Sequence, residues 1–193
     1  MNLLAHMHLA TLANSSIIGN VAADFVKGDP YRQYPTKIAD GIMLHRRIDK
    51  RTDQLDAVKQ AKSLFQPQYH RVAPITLDIV WDHFLSKHWH RYGLKLDLVT
   101  FNNNMQHQIN PYVDLFGNEF KQFIQYMWRD NWLIRYADLQ FIGKVLNGMA
   151  NRRPKLISLR NTFMDIEQHY DQLAQIFDSF YPLLVHDATF NKL

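Results

Sequence analysis

Apolar residues recur along most of this chain at the spacing of an α-helix, and nowhere do they alternate at the spacing of a strand. Leu77, Val80, Trp81, Phe84, Leu85 and Trp89 form one such set, opened by Pro74-Ile75-Thr76. Phe120, Phe123, Ile124, Met127 and Trp128 form a second, and Leu156, Leu159, Phe163, Ile166, Tyr170, Leu173 and Phe177 a third. Only 7 Gly and 7 Pro interrupt 193 residues, so a helix can run far before anything breaks it. The expected class is all-α, a bundle of about seven to eight helices in a single domain spanning 1–193. A chain that is 47% hydrophobic and 13% aromatic has the material for a large core.

Punctuation sets the boundaries. Ser15-Ser16 cap a helix over Ile17 to Val26, which stops at Lys27-Gly28-Asp29-Pro30. Pro35-Thr36 opens a helix that runs through Ile38, Ile42 and Leu44 to Ile48, and Thr52-Asp53 reads as a fresh cap for Gln54 to Phe65. After the break at Tyr92-Gly93, helices are expected over about Leu98 to Ile109, Asn118 to Trp132, Leu139 to Met149 and Leu156 to Phe180. Met1 to Ala13 carries no Lys or Arg and is interrupted by His6 and His8, unlike a signal peptide. No apolar run approaches the roughly 20 residues that span a bilayer. A soluble, cytoplasmic chain is the expectation, with neither membrane nor nucleic acid as its expected partner.

Within the first 83 residues, His6, His8, Asp24, His45, Asp49, Asp78, Asp82 and His83 interrupt segments that are otherwise apolar. A carboxylate on a buried helix face needs compensation, and one divalent cation compensates several at once. His45 and Asp49 are four residues apart, so they lie about 40° apart on one helix face, a spacing that can grip a metal. Asp78 and Asp82 repeat that spacing, with His83 adjacent, and Asp24 sits among Ala22, Ala23 and Phe25. The candidate catalytic set is Asp24, His45, Asp49, Asp82 and His83. The candidate metal ligands are Asp24, His45, Asp82 and His83, with His6 and His8 ranked below them. Read alternatively, His45 and Asp49 are a surface bridge within a charged run, and Asp78 is a first-turn acid that favours its own helix dipole.

Arg46 and Arg47 adjoin His45 and offer planar guanidinium groups suited to phosphate. No cysteine is present, which removes disulfides, thiol nucleophiles and cysteine-held metals. There is no Gly-x-Ser-x-Gly elbow and no glycine-rich phosphate loop. Water activated by a metal held on imidazole and carboxylate is therefore the economical chemistry. The net charge of +4 and pI near 9.2 suit either ordinary solubility or an anionic partner. His186-Asp187, the one adjacent His-Asp pair, lies in the C-terminal tail and is given no role.

Several blocks carry a family resemblance: Ala5-His6-Met7-His8-Leu9-Ala10, Gly19-Asn20 with Ala23-Asp24-Phe25-Val26, and Gly41-Ile42 through His45-Arg46-Arg47-Ile48-Asp49. Thr52-Asp53, Arg71 through Asp78, Trp81-Asp82-His83-Phe84-Leu85, Val145 through Ala150 and Arg152-Arg153-Pro154 extend it to the end of the chain. Together they resemble the bacterial acyl carrier protein phosphodiesterases. The resemblance implies an all-helical fold distantly related to the HD phosphohydrolases, a manganese cofactor, and release of 4′-phosphopantetheine from the serine of holo-acyl carrier protein. Here the His-Asp order of the HD proteins is reversed, at Asp82-His83. An acidic carrier as partner gives a purpose to the basic residues Arg152, Arg153, Lys155 and Arg160. Of Trp81, Trp89, Trp128 and Trp132, mostly core by spacing, one or two are expected to line a channel for the pantetheine arm. The rival readings are an HD-like hydrolase of nucleotides or other small phosphoesters, and a non-enzymatic basic helical module that binds acidic partners.

Overall fold

The computed structural model describes residues 1–92 and 94–193; Gly93, read above as part of a break, lies outside them. Among the described residues there is no strand, and the chain is all-α. The principal helices are α1 (Leu3–Leu12), α2 (Ile17–Ala22), α3 (Thr36–Gln54), α4 (Asp56–Ser63) and α5 (Ala73–Lys87). They continue with α6 (Leu98–Ile109), α7 (Gly117–Arg129), α8 (Leu139–Arg152), α9 (Thr162–Gln168) and α10 (Tyr170–Thr189). Single helical turns and 3-10 segments join them, so the chain is divided more finely than the expected seven or eight helices.

The differences have local causes. The stretch expected as one helix from Leu156 to Phe180 breaks at His169, whose φ of −111° and ψ of 21° leave the helical region. It becomes the 3-10 segment Pro154–Asn161 followed by α9 and α10. Thr52-Asp53 does not open a new helix: α3 runs on to Gln54, and Thr52 Oγ1 instead donates back to the Ile48 carbonyl at 2.8 Å. Ser16 does cap α2, accepting from the Gly19 amide at 3.2 Å. Asp78 is not in a first turn, because α5 already begins at Ala73.

α1 is the axis of the bundle. Leu4 through Ala10 are all buried, and α2, α3, α5 and α10 pack around it. A helix covered on every side has no polar face to produce a periodic signal. Its N-terminus is capped from another helix. Asn2 makes no side-chain cap, and the Asp82 carboxylate of α5 accepts from the Leu4 amide at 2.8 Å and the Ala5 amide at 3.0 Å.

α2 lies so close on α3 that only glycine fits at the crossing. A Cβ on Gly41 would stand 2.7 Å from the Ser16 carbonyl oxygen, and one on Gly19 would overlap the Ile38 carbonyl. This contact fixes the segment after α2 against the middle of α3. Trp81, Phe84, Phe177, Phe180 and Tyr181 fill the core between α5 and α10. No helix among the described residues is long and apolar enough to cross a membrane.

Candidate metal centre

Three helical segments deliver the cluster. α1 carries His6, α3 carries His45 and Asp49, and a tight 3-10 turn, Ala23–Phe25, ends α2 and carries Asp24. The expected helix through Val26 stops at Ala22, and the tightening turns Asp24 outward beside α3. The imidazoles of His6 and His45 stack with centroids 3.7 Å apart and planes 14° apart. Both converge on one carboxylate: His6 Nε2 donates to Asp49 Oδ1 at 3.1 Å, and His45 Nε2 lies 3.0 Å from Asp49 Oδ2. His45 Nε2 also lies 3.4 Å from Asp24 Oδ1.

The burial is graded. His6 and His45 are buried, Asp49 is 37% exposed and Asp24 is 81% exposed, so the carboxylates form the mouth and the imidazoles the floor. The α-amino group of Met1 is fully buried and donates to Asp49 Oδ1 at 3.2 Å and Asp78 Oδ1 at 2.8 Å. Burial lowers the pKa of that ammonium, but the charges of Asp78 and Asp49 outweigh it and raise it to about 11.

The same competition sets the other groups. Burial disfavours a charged His45, yet hydrogen bonds and charge from Asp24 and Asp49 push it up to about 9. Burial, together with the charge on His45, pushes His6 down to about 4 despite its bond to Asp49. Asp49, which burial would raise, is held far below the ordinary carboxylate range by His45, His6 and the Met1 ammonium. The hydrogen bond from His45 also lowers Asp24. The two rings are thereby driven in opposite directions, His45 toward its protonated form and His6 toward its neutral one.

His6, His45 and Asp49 offer ligand atoms that all lie within 4.8 Å of one another. Beside them, Asn2, Asn20, Asp24 and His45 line a hollow of about 10 Å³, which is room for a single ion or water. His6 Nδ1 and His45 Nδ1 are buried without a hydrogen-bond partner, so these rings are held by what lies at their Nε2 side. Two imidazoles and a carboxylate, with a second carboxylate at the mouth, fit a divalent Mn, Fe or Zn ion with open positions.

Other candidates lie elsewhere. Asp82, ranked with the metal ligands, is fully buried with both oxygens committed to α1 amides, and burial pushes its pKa up to about 7. His83 donates from Nδ1 to the Tyr136 carbonyl at 2.7 Å, and its Nε2 receives the Tyr170 hydroxyl at 2.8 Å. Both of its nitrogens are used, and the structure brings neither Asp82 nor His83 to the cluster. His8, two residues from His6 on α1, faces the other way and pairs through Nδ1 with the Tyr181 hydroxyl at 2.7 Å.

The arginines also divide. Arg46 donates to the Gly28 carbonyl at 3.0 Å and the Val26 carbonyl at 2.9 Å, clamping the loop that follows Asp24. Arg47 projects from another face of α3 into a hollow it shares with Lys37, Asp40 and Asn191. Neither guanidinium points into the cluster. Arg152, Arg153, Lys155 and Arg160 are all exposed around the end of α8, and Arg160 is bonded to Asn151 at 2.6 Å. His186 and Asp187 lie 3.4 Å apart near the end of α10.

A family profile described as acyl carrier protein phosphodiesterase matches residues 1–184. The chain belongs to the acyl carrier protein phosphodiesterase family. A protein of that name from Yersinia enterocolitica is 52% identical over 188 residues, covering 97% of each chain. Namesakes from Klebsiella pneumoniae and Yersinia pestis are 50% and 48% identical over 193 residues, covering all of both chains. No solved structure matches. The residues matched by the profile include every segment that builds the cluster.

Proposed function

We propose that this chain is a metal-dependent phosphodiesterase that cleaves the bond between 4′-phosphopantetheine and the serine of holo-acyl carrier protein, leaving apo-carrier. It acts as one domain spanning 1–193, in the cytoplasm, with manganese as cofactor. The observation that carries this reading is the convergence of His6 and His45 on the two oxygens of Asp49, in a chain whose family is named for that reaction.

His6, His45, Asp49 and Asp24 are the residues that would hold the ion, which when bound supplies Lewis-acid activation of phosphate and water. Before the ion binds, Asp49 orients both rings at once, one oxygen for each Nε2. Asp24, at the exposed rim 3.4 Å from His45 Nε2, is the group placed to exchange a proton with solvent or with the leaving serine oxygen. Asp82 acts at a distance from the chemistry by fixing the start of α1 and so the height of His6.

Intact-mass measurement of holo-acyl carrier protein incubated with this protein and Mn²⁺ tests the reading. Conversion to the apo mass with release of 4′-phosphopantetheine, abolished by chelator, is expected. Hydrolysis of nucleotides with an unchanged carrier mass would replace it by the small-phosphoester reading. No Mn²⁺-stimulated hydrolysis of either would leave a binding module.

A further inference from the structure

A second hollow begins where the cluster ends. Asp24 faces His45, and the next residue, Phe25, forms a wall of a cleft of about 350 Å³ between α7 and α8. That volume falls within the roughly 300–1,000 Å³ typical of small-molecule sites. Its floor is aromatic and apolar: Phe25 packs on Phe123 with centroids 5.3 Å apart, Phe123 meets Trp132 edge-on at 5.7 Å, and Met149 closes the side. Glu119 and Gln122 put a carboxylate and an amide on the α7 wall.

Arg152 and Arg153 form the opposite rim, and among the described residues neither guanidinium makes a hydrogen bond or ion pair. Arg152 lies close enough to the buried Tyr136 for its charge to act on that hydroxyl, which accepts from Asn2 at 3.4 Å, and Asn2 lines the ion-sized hollow.

The geometry points to this cleft as the binding site of the 4′-phosphopantetheine arm, with Arg152 holding phosphate charge beside Asp24 and the chain of the arm lying along Phe25, Phe123 and Trp132. This rests on the reading of the protein as a holo-carrier phosphodiesterase. The chemistry is complementary along the whole length. An anionic head meets free arginines, methyl and methylene groups meet aromatic rings and Met149, and two amide groups meet the side chains of Gln122 and Glu119. Docking of an acidic protein surface needs the arginines but has no use for a recessed aromatic floor beneath them.

The test compares holo- and apo-acyl carrier protein, and free 4′-phosphopantetheine, by isothermal titration calorimetry with the wild type and Gln122→Trp. Gln122 is exposed, so a tryptophan there fills the cleft without removing core. Unchanged Mn²⁺ affinity and helical circular dichroism serve as the controls. The wild type should bind holo- about tenfold or more tighter than apo-carrier, and Gln122→Trp should erase that ratio, weaken free 4′-phosphopantetheine and raise KM for holo-carrier about tenfold. Phe123→Ala should act in the same direction by emptying the floor. Equal affinity of the wild type for holo and apo forms, or an undiminished ratio in Gln122→Trp, would overturn the assignment. Wild-type protein that never releases 4′-phosphopantetheine fails the proposed function instead, which the mass assay reads separately.

Discussion

His6 and His45 lie face to face at 3.7 Å, from helices far apart in sequence, and share the two oxygens of Asp49. Stacked imidazoles cannot both carry charge at close range, and the pair resolves this by holding His45 high and His6 low. A cation entering between these side chains must displace the proton of His45.

That displacement predicts a pH dependence. The folded pKa of His45 is about 9 against an ordinary value of 6.5, so below pH 9 metal binding competes with a bound proton. Mn²⁺ affinity should climb between pH 6.5 and 9, with close to one proton released per ion at pH 7. Calorimetry in two buffers of different ionisation enthalpy reads this directly; identical apparent enthalpies would contradict it. In the metal-free protein the raised pKa also stabilises the fold, fully below pH 6.5, and that contribution is lost as pH rises through 9.

Asp82 should prove structural rather than ligating. Asparagine keeps the shape but turns one of two acceptor oxygens into a donor facing an α1 amide. Asp82→Asn should cost about 1–3 kcal/mol in urea unfolding, the penalty of a buried group left unsatisfied. Turnover should fall through the displacement of His6. Wild-type stability together with lost Mn²⁺ binding would instead make Asp82 a ligand.

The crossing of α2 and α3 gives a third expectation. Gly41→Ala forces a methyl against the Ser16 carbonyl and separates the segment carrying Asp24 from His45. Overpacking of this kind costs about 1–3 kcal/mol. The mutant should lose thermal stability and kcat together, whereas Gly148→Ala, inside α8 where a Cβ meets nothing within 4 Å, should leave kcat unchanged and hold or raise thermal stability, alanine being the better helix former.

Much of this was legible in the sequence. The 3.6-residue period of α7 carries the class most plainly, because only one face of it, Phe120, Ile124 and Met127, is buried. Asp24, His45 and Asp49 stood out because their i,i+4 spacing or apolar surroundings are visible in one dimension. His6, a lower-ranked candidate by sequence, joins His45 and Asp49 in the structure; α1 is buried on all sides and shows no period from which its direction can be read. Asp82 and His83, candidate ligands by sequence, lie outside the cluster, and for a related reason the sequence does not show it. A buried acid compensated by two amides from a distant helix looks, in sequence, the same as one compensated by a metal. Arg46 adjoins His45 in the chain, but a helical step of about 100° turns it toward the loop carbonyls instead. Arg152 and Arg153 were visible as charge alone, because their cleft is assembled from residues more than a hundred positions apart.

The account rests on one ion held by His6, His45 and Asp49, and electron paramagnetic resonance titration of Mn²⁺ into wild-type and Asp49→Ala protein, with carrier turnover assayed on the same samples, tests it most directly. The wild type should bind one Mn²⁺ per chain and convert holo- to apo-carrier, while Asp49→Ala keeps its helical circular dichroism but loses both. Mn²⁺ binding and turnover that survive in a folded Asp49→Ala protein would contradict it.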